Sequence, residues 1–134
     1  MNNIYITDRD YLRLQSLVQL VHITRGPQII KALSTVLKRA KVIASEQIQK
    51  DIITMNSRVR IKELKNSEEM EIKIVYPKDA HLPKGRISVL APVGTAVLGC
   101  KVGDEIDWLL PQGTVTYKIE ELIYQPEAGG DLDL

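Results

Sequence analysis

Apolar residues keep a helical spacing up to about residue 43 and a strand spacing from about residue 58, and this one change of period decides what the chain can fold into. Tyr11, Leu14, Leu17 or Val18, and Val21 recur every three to four residues. Ile29 or Ile30, Leu33, Val36 or Leu37, and Ala40 do so again. Arg58 to Lys62 and Met70 to Tyr76 alternate instead, as half-buried strands do. A helical first third is therefore followed by a sheet.

Local signals place the boundaries. Thr7 suits an N-cap, with Asp8 and Asp10 in the first turn, where the helix dipole favours acids. His22 to Pro27 interrupts the pattern: Gly26 can turn the chain, and Pro27 suits the first position of a second helix reaching about Ile43. Two such helices joined by a short turn lie antiparallel, and the hairpin extends only roughly 22 Å at 1.5 Å per residue. Residues 44 to 51 read as a polar connection. Asn66-Ser67 is a turn between two strands, and residues 77 to 85 form a loop with two prolines. Ile87 to Leu90 reads as a short strand, Pro92 to Leu98 as a short helix stopped by Gly99, and Val102-Gly103-Asp104 as a turn. Glu105 to Leu110 and Thr114 to Tyr124 are strands joined across Pro111-Gln112-Gly113, and the tail from Gln125 to Leu134 is expected to fray.

The 134 residues allow one medium domain, or a small one with a helical appendage. With no phenylalanine and few other aromatics, the core must be built mainly from Ile, Leu and Val. No apolar run approaches the roughly 20 residues a bilayer requires, and Met1-Asn2-Asn3-Ile4-Tyr5 is unlike a signal peptide; a soluble, cytoplasmic protein is expected, with no membrane partner. Charge is segregated. Arg25 to Lys65 holds ten bases against three acids, while Asp104 to the end holds eight acids against Lys118 alone. Such a dipolar chain can be steered onto a charged partner, or simply present two solvated faces of opposite sign.

Residues with reactive chemistry are few, and none forms a catalytic or metal-binding set. Gly94, Gly99 and Gly103 lack the spacing and the lysine of a phosphate loop. His22 and His81 have no second ligand at helical spacing, and Cys100 has no positioned histidine to activate it. Glu105 and Asp107 share one face of a strand opposite Ile106 and Trp108, as on a solvated sheet face, with metal binding the lesser reading. Lys38, Arg39 and Lys41 lack the interleaved aromatics that stack on single-stranded nucleic acid. No cofactor is expected.

One run of motifs is more specific. Ser88-Val89-Leu90-Ala91-Pro92-Val93-Gly94-Thr95-Ala96-Val97-Leu98-Gly99, then Lys101-Val102-Gly103-Asp104, Pro111-Gln112-Gly113 and the strand Glu120 to Tyr124 resemble the C-terminal domain of the GreA/GreB transcript-cleavage factors. Thr54-Met55-Asn56-Ser57-Arg58-Val59, Val75-Tyr76-Pro77 and Tyr124 to Asp131 make the resemblance closer to one branch, the Rnk proteins, called regulators of nucleoside diphosphate kinase. The resemblance implies an α+β fold: a short antiparallel helical hairpin (coiled coil) over residues 1–48, then an FKBP-like, mostly antiparallel sheet with one short helix and an acidic tail over 49–134. It also implies a monomeric partner of bacterial RNA polymerase, docked at the secondary-channel rim of the β' subunit, that touches DNA only through the polymerase. Nucleoside diphosphate kinase is the second partner implied.

The resemblance places polymerase binding on Ser88, Leu90, Ala91, Pro92, Val93 and Gly94, and the hairpin tip at Ile23, Thr24, Arg25 and Gly26. Departures from the family matter. Gre factors carry tip acids that help hold a catalytic magnesium ion; this tip has none, so no stimulation of cleavage is expected. Their docking motif resembles Ser-x-Asp-Ser-Pro, and here Leu90 replaces the acid, either as an apolar contact or as a core residue. An FKBP-like fold also raises peptidyl-prolyl isomerisation, but its aromatic-walled pocket has little to be built from: Trp108, Tyr76, Tyr117 and Tyr124 are the aromatics of the sheet region.

Overall fold

The computed structural model describes the backbone of residues 3–110 and 112–130, with side chains for all of these except 108–110. Helix α1 spans Asp8–Arg25, its Thr7 hydroxyl accepting the Asp10 N–H at 3.1 Å. It runs past the expected break at His22 because nothing before Gly26 opposes a helix. Gly26, at φ 92°, and Pro27 then make the turn into α2, Pro27–Arg39.

The helical spacing predicts α2 as far as Ile43, but Ala40 is extended and Lys41–Ile43 forms a strand, β2. Val42 and Ile43 are β-branched, which suits them to a strand. β2 pairs in parallel with β1, Tyr5–Thr7, and the Lys41 N–H donates to the Ile4 carbonyl at 2.8 Å. This short sheet joins the two ends of the hairpin, so α1 and α2 must run antiparallel. The connection that follows is less polar in role than in composition: Ser45 is buried, and its N–H and hydroxyl donate to Asp8 Oδ1 at 3.1 and 2.8 Å.

Strands β3 (Arg58–Glu63), β4 (Glu69–Val75), β5 (Arg86–Ser88), β6 (Glu105–Leu110) and β7 (Gly113–Tyr124) form one sheet in the order β5-β4-β3-β7-β6. Every neighbouring pair is antiparallel except β4 with β5. Alternation sends Val59, Ile61, Ile72, Ile74 and Ile119 inward. Facing outward, the bases of β3 form a ladder with acids of its neighbours: Arg58 with Glu71 (3.1 Å), Arg60 with Glu69 (3.3 Å) and Glu121 (2.9 Å), and Lys62 with Glu120 (3.9 Å). Part of the charge segregated in the sequence is thus paired on the sheet: Arg60 and Lys62 of the basic middle meet Glu121 and Glu120 of the acidic end, while Glu69 and Glu71 come from between the two.

Helix α3, Pro92–Val97, contacts α2 on one side and β5 and β6 on the other. Ile4, Ile6, Leu14, Leu33 and Leu37 from the hairpin side join Ile53, Met55, Val59, Ile61, Ile74, Val97, Leu98 and Ile119 in one buried cluster. It is a mainly aliphatic core, with Tyr117 its aromatic member among the described residues. Ile106 is buried and Glu105 and Asp107 are exposed, as their alternation implies, whereas the side chains of Trp108 and Leu110 lie outside the described residues.

Residues 52–57 are buried throughout and are held from both ends of the chain. Asp10 Oδ2 accepts the Met55 N–H at 3.0 Å. From the other end, Glu127 Oε1 accepts the Thr54 hydroxyl at 2.6 Å, and Gln125 Nε2 donates to the carbonyls of Gln49 and Ile52 at 2.8 and 2.6 Å. The expected fraying of the tail is thus corrected for Gln125 to Gly130, which include a docked short helix, α4, Pro126–Gly129. Residues 131–134, where the acidic tail continues, lie outside the described residues.

Candidate docking site

The segment from Ser88 to Gly94 is a built loop. The alternation predicts a strand through Leu90, but β5 stops at Ser88 because two hydrogen bonds divert the chain there. The Ser88 hydroxyl accepts the Leu90 N–H at 3.1 Å, and the Ser88 carbonyl accepts the Ala91 N–H at 2.9 Å. Val89 is fully buried, its N–H donating to the Val75 carbonyl at 2.8 Å, and its own carbonyl accepts the Thr95 hydroxyl. Pro92 opens α3, where its missing N–H leaves no donor unsatisfied. Gly94 is needed at its position: a Cβ there would collide with the Ser88 carbonyl.

The six residues expected to bind a partner are therefore brought together but do not act alike. Pro92 is exposed, Ser88, Leu90 and Ala91 are half-buried, and Val93 and Gly94 are buried beneath them. Leu90 stands between its two expected roles, packing partly against the core while the rest of its side chain stays open. Val93 and Gly94 shape the loop and cannot form its surface. Beside the loop a groove opens between α2 and α3, with Ile4, Val36, Ala96 and Ile106 along it and Lys31 and Asp107 at its edges.

At the far end of the hairpin Ile23, Thr24 and Arg25 are exposed and helical, and Gly26 makes the turn. The Thr24 hydroxyl donates back to the Leu20 carbonyl at 2.8 Å. From His22 to Pro27 the sequence supplies no carboxylate to this tip. His22 and His81 are exposed, and among the described residues no cluster of three or more His, Cys, Asp or Glu side chains could hold a metal ion. Burial, with the Asp104 charge adding to it, pushes the Cys100 thiol up to about 12, so it stays protonated and unreactive at neutral pH. Among the described residues no helix is long and apolar enough to cross a membrane.

This architecture, a short helical hairpin on a mixed sheet with a proline-led loop at its edge, matches known proteins. The family description "Transcription elongation factor, GreA/GreB, C-term" fits residues 48–124, and the chain belongs to the GreA/GreB transcription elongation factor family. Within it, the chain is 41% identical over 129 residues to the regulator of nucleoside diphosphate kinase of Escherichia coli (strain K12), covering 96% of this chain and 94% of that protein. It is 38% identical over 90 residues to the transcription elongation factor GreA of Acetivibrio thermocellus, covering 67% of this chain but only 57% of that factor. A solved structure of a GreA/GreB elongation factor from Nitrosomonas europaea superposes with a TM-score of 0.76 at 37% identity, over 91% of this chain and all of the other.

Proposed function

We propose that this protein is a non-catalytic regulator that binds bacterial RNA polymerase at the secondary-channel rim and competes there with Gre-type factors without stimulating transcript cleavage. The observation that carries the reading is the Ser88–Gly94 loop. Its half-buried Leu90 and exposed Pro92 rest on Val89, Val93 and Gly94, which are all buried, so the surface offered to a partner is pre-organised and binding has little to order. The acid-free tip supports the second half of the proposal, because Thr24-Arg25-Gly26 offers none of the carboxylates that anchor a magnesium ion to a protein. The division of labour follows: residues 49–134 dock and residues 1–48 set what is placed at the channel entrance. The test is retention of purified core polymerase by the immobilised protein. Wild type retains it, and Leu90→Asp, which puts a charge where the loop offers an apolar contact, weakens retention tenfold or more; equal retention by the variant contradicts the reading.

A second reading rests on the name of the relative at 41% identity, regulator of nucleoside diphosphate kinase. If that regulation is direct, adding the purified protein to purified kinase changes its phosphoryl-transfer rate. No change confines any such effect to transcription.

A further inference from the structure

The ion-pair ladder of β3 does not extend to the β5 edge of the sheet. Register sets Arg58 opposite Lys73 on β4, and Lys73 opposite Arg86 on β5, so three bases stand in a row across three neighbouring strands. Strands lie roughly 4.8 Å apart, and like charges directly opposite one another destabilise a sheet. Lys84, in the loop that leads into β5, adds a fourth base. Together they line a pocket of about 310 Å³ whose one acid among the described residues is Glu71. Glu71 is committed to Arg58 at 3.1 Å, and Lys73, Lys84 and Arg86 have no ion-pair partner among the described residues. Lys73 is half-buried, so its unmatched charge has also lost part of its water. On β3 every base meets a carboxylate, so the same sheet balances such charges elsewhere and leaves them unbalanced here. Packing gives no reason for the row; an anion does.

Charge and size identify the class of anion. A phosphate monoester carries about −1.5 to −2 charge near neutral pH, so three unmatched bases exceed what one phosphate balances and suit two linked ones. Arg86 brings a planar fork that matches phosphate oxygens, and the two lysines bring compact point charges. The pocket stands at the low end of the range for small-molecule sites, about 300–1,000 Å³. Its walls hold no aromatic side chain, so neither single-stranded nucleic acid nor the base of a nucleotide finds a stacking platform. An acidic protein surface would also lie over Glu69, Glu120 and Glu121 on the same face of the sheet, which favours a ligand small enough to stay within the pocket.

We propose that Lys73, Lys84 and Arg86, with Arg58 beside them, form a binding site for a small anion that carries two linked phosphates. The site shares no residue with the Ser88–Gly94 loop and does not depend on the polymerase reading. The test is isothermal titration calorimetry of the full chain with inorganic diphosphate, with adenosine diphosphate and with a short single-stranded oligonucleotide, in the absence of divalent cations. Inorganic diphosphate binds one to one with a Kd of about 1 mM or tighter, and added salt weakens it. Equal or weaker binding of adenosine diphosphate makes free diphosphate the ligand, and tighter binding makes a nucleotide its source; both results support the site. Lys73→Gln with Arg86→Gln weakens diphosphate binding about tenfold or more, while Lys38→Gln, an exposed base on α2, changes it less than about twofold. Because the double change removes like charges set side by side, the unliganded variant melts no lower than wild type, and diphosphate raises the melting temperature of wild type alone. If the double variant does not fold, Lys84→Gln in the loop is read in its place and weakens binding several-fold. A wild-type Kd weaker than about 1 mM, or diphosphate binding that the variants leave unaltered, overturns the proposal. So does a folded double variant that melts below wild type, because the row then serves the fold. An oligonucleotide bound more tightly than diphosphate, and released by the same changes, overturns it in favour of nucleic acid.

Discussion

Asp10 carries a carboxyl into the interior at 4% exposure, and burial pushes its pKa from the ordinary 3.8 up to about 6. The Met55 N–H opposes that rise and the Glu127 charge adds to it. Because the folded state holds the proton more tightly than the unfolded chain, the stabilisation from protonating Asp10 is complete below about 3.8 and is lost as the pH rises through about 6. Asp10→Asn keeps an oxygen for the Met55 N–H and removes the charge. Urea unfolding is expected to show it at least as stable as wild type at pH 7.5, with the advantage shrinking towards pH 4.5; a constant difference across that range contradicts this account of Asp10. In the sequence Asp8 and Asp10 look alike, since both satisfy the helix dipole. What separates them is distant: Ser45 meets Asp8 from 37 residues away, and Met55 meets Asp10 from 45. Leu90 was ambiguous for the same reason, because alternation cannot show that Ser88 turns the strand aside.

Elements long enough to repeat a pattern were legible, and so was the six-residue α3, which Pro92 and Gly99 bracket; short elements without such punctuation were not. The hairpin helices and strands β3, β4, β6 and β7 announce themselves by spacing alone. β1 and β2 have three residues each and α4 has four, too few to show a period, and their stability comes from what they touch. α4 shows this most directly. Gln125 leads into it and closes the hydrogen bonds of two carbonyls beside the buried 52–57 loop. Gln125→Ala removes the side-chain donor from the Ile52 carbonyl, while the Gln49 carbonyl keeps the Ile52 N–H at 3.3 Å, and is expected to cost about 1–3 kcal/mol in chemical denaturation. It should also speed proteolysis at the C-terminal end; unchanged stability and cleavage contradict α4 as a docked element.

At the scale of the whole molecule, one mainly aliphatic core ties the helical hairpin to the sheet that carries the Ser88–Gly94 loop. The Ser88–Gly94 loop proposed to dock and the tip of the hairpin are therefore carried on one packed unit. The net charge of +1 conceals how the charges are used: acids and bases pair along β3, and the hairpin beyond its first turn stays basic. The chain is 41% identical to a named regulator, spans 57% of the GreA it matches and carries no acid from His22 to Pro27, and these features support the proposal that it occupies a Gre-type site without cleavage chemistry. The most direct test is displacement of labelled GreA from core RNA polymerase, with transcript cleavage followed in the same reaction. The account predicts that rising concentrations of this protein displace GreA and that cleavage falls in step with occupancy. GreA remaining bound at saturating protein, or cleavage sustained after its displacement, would contradict it.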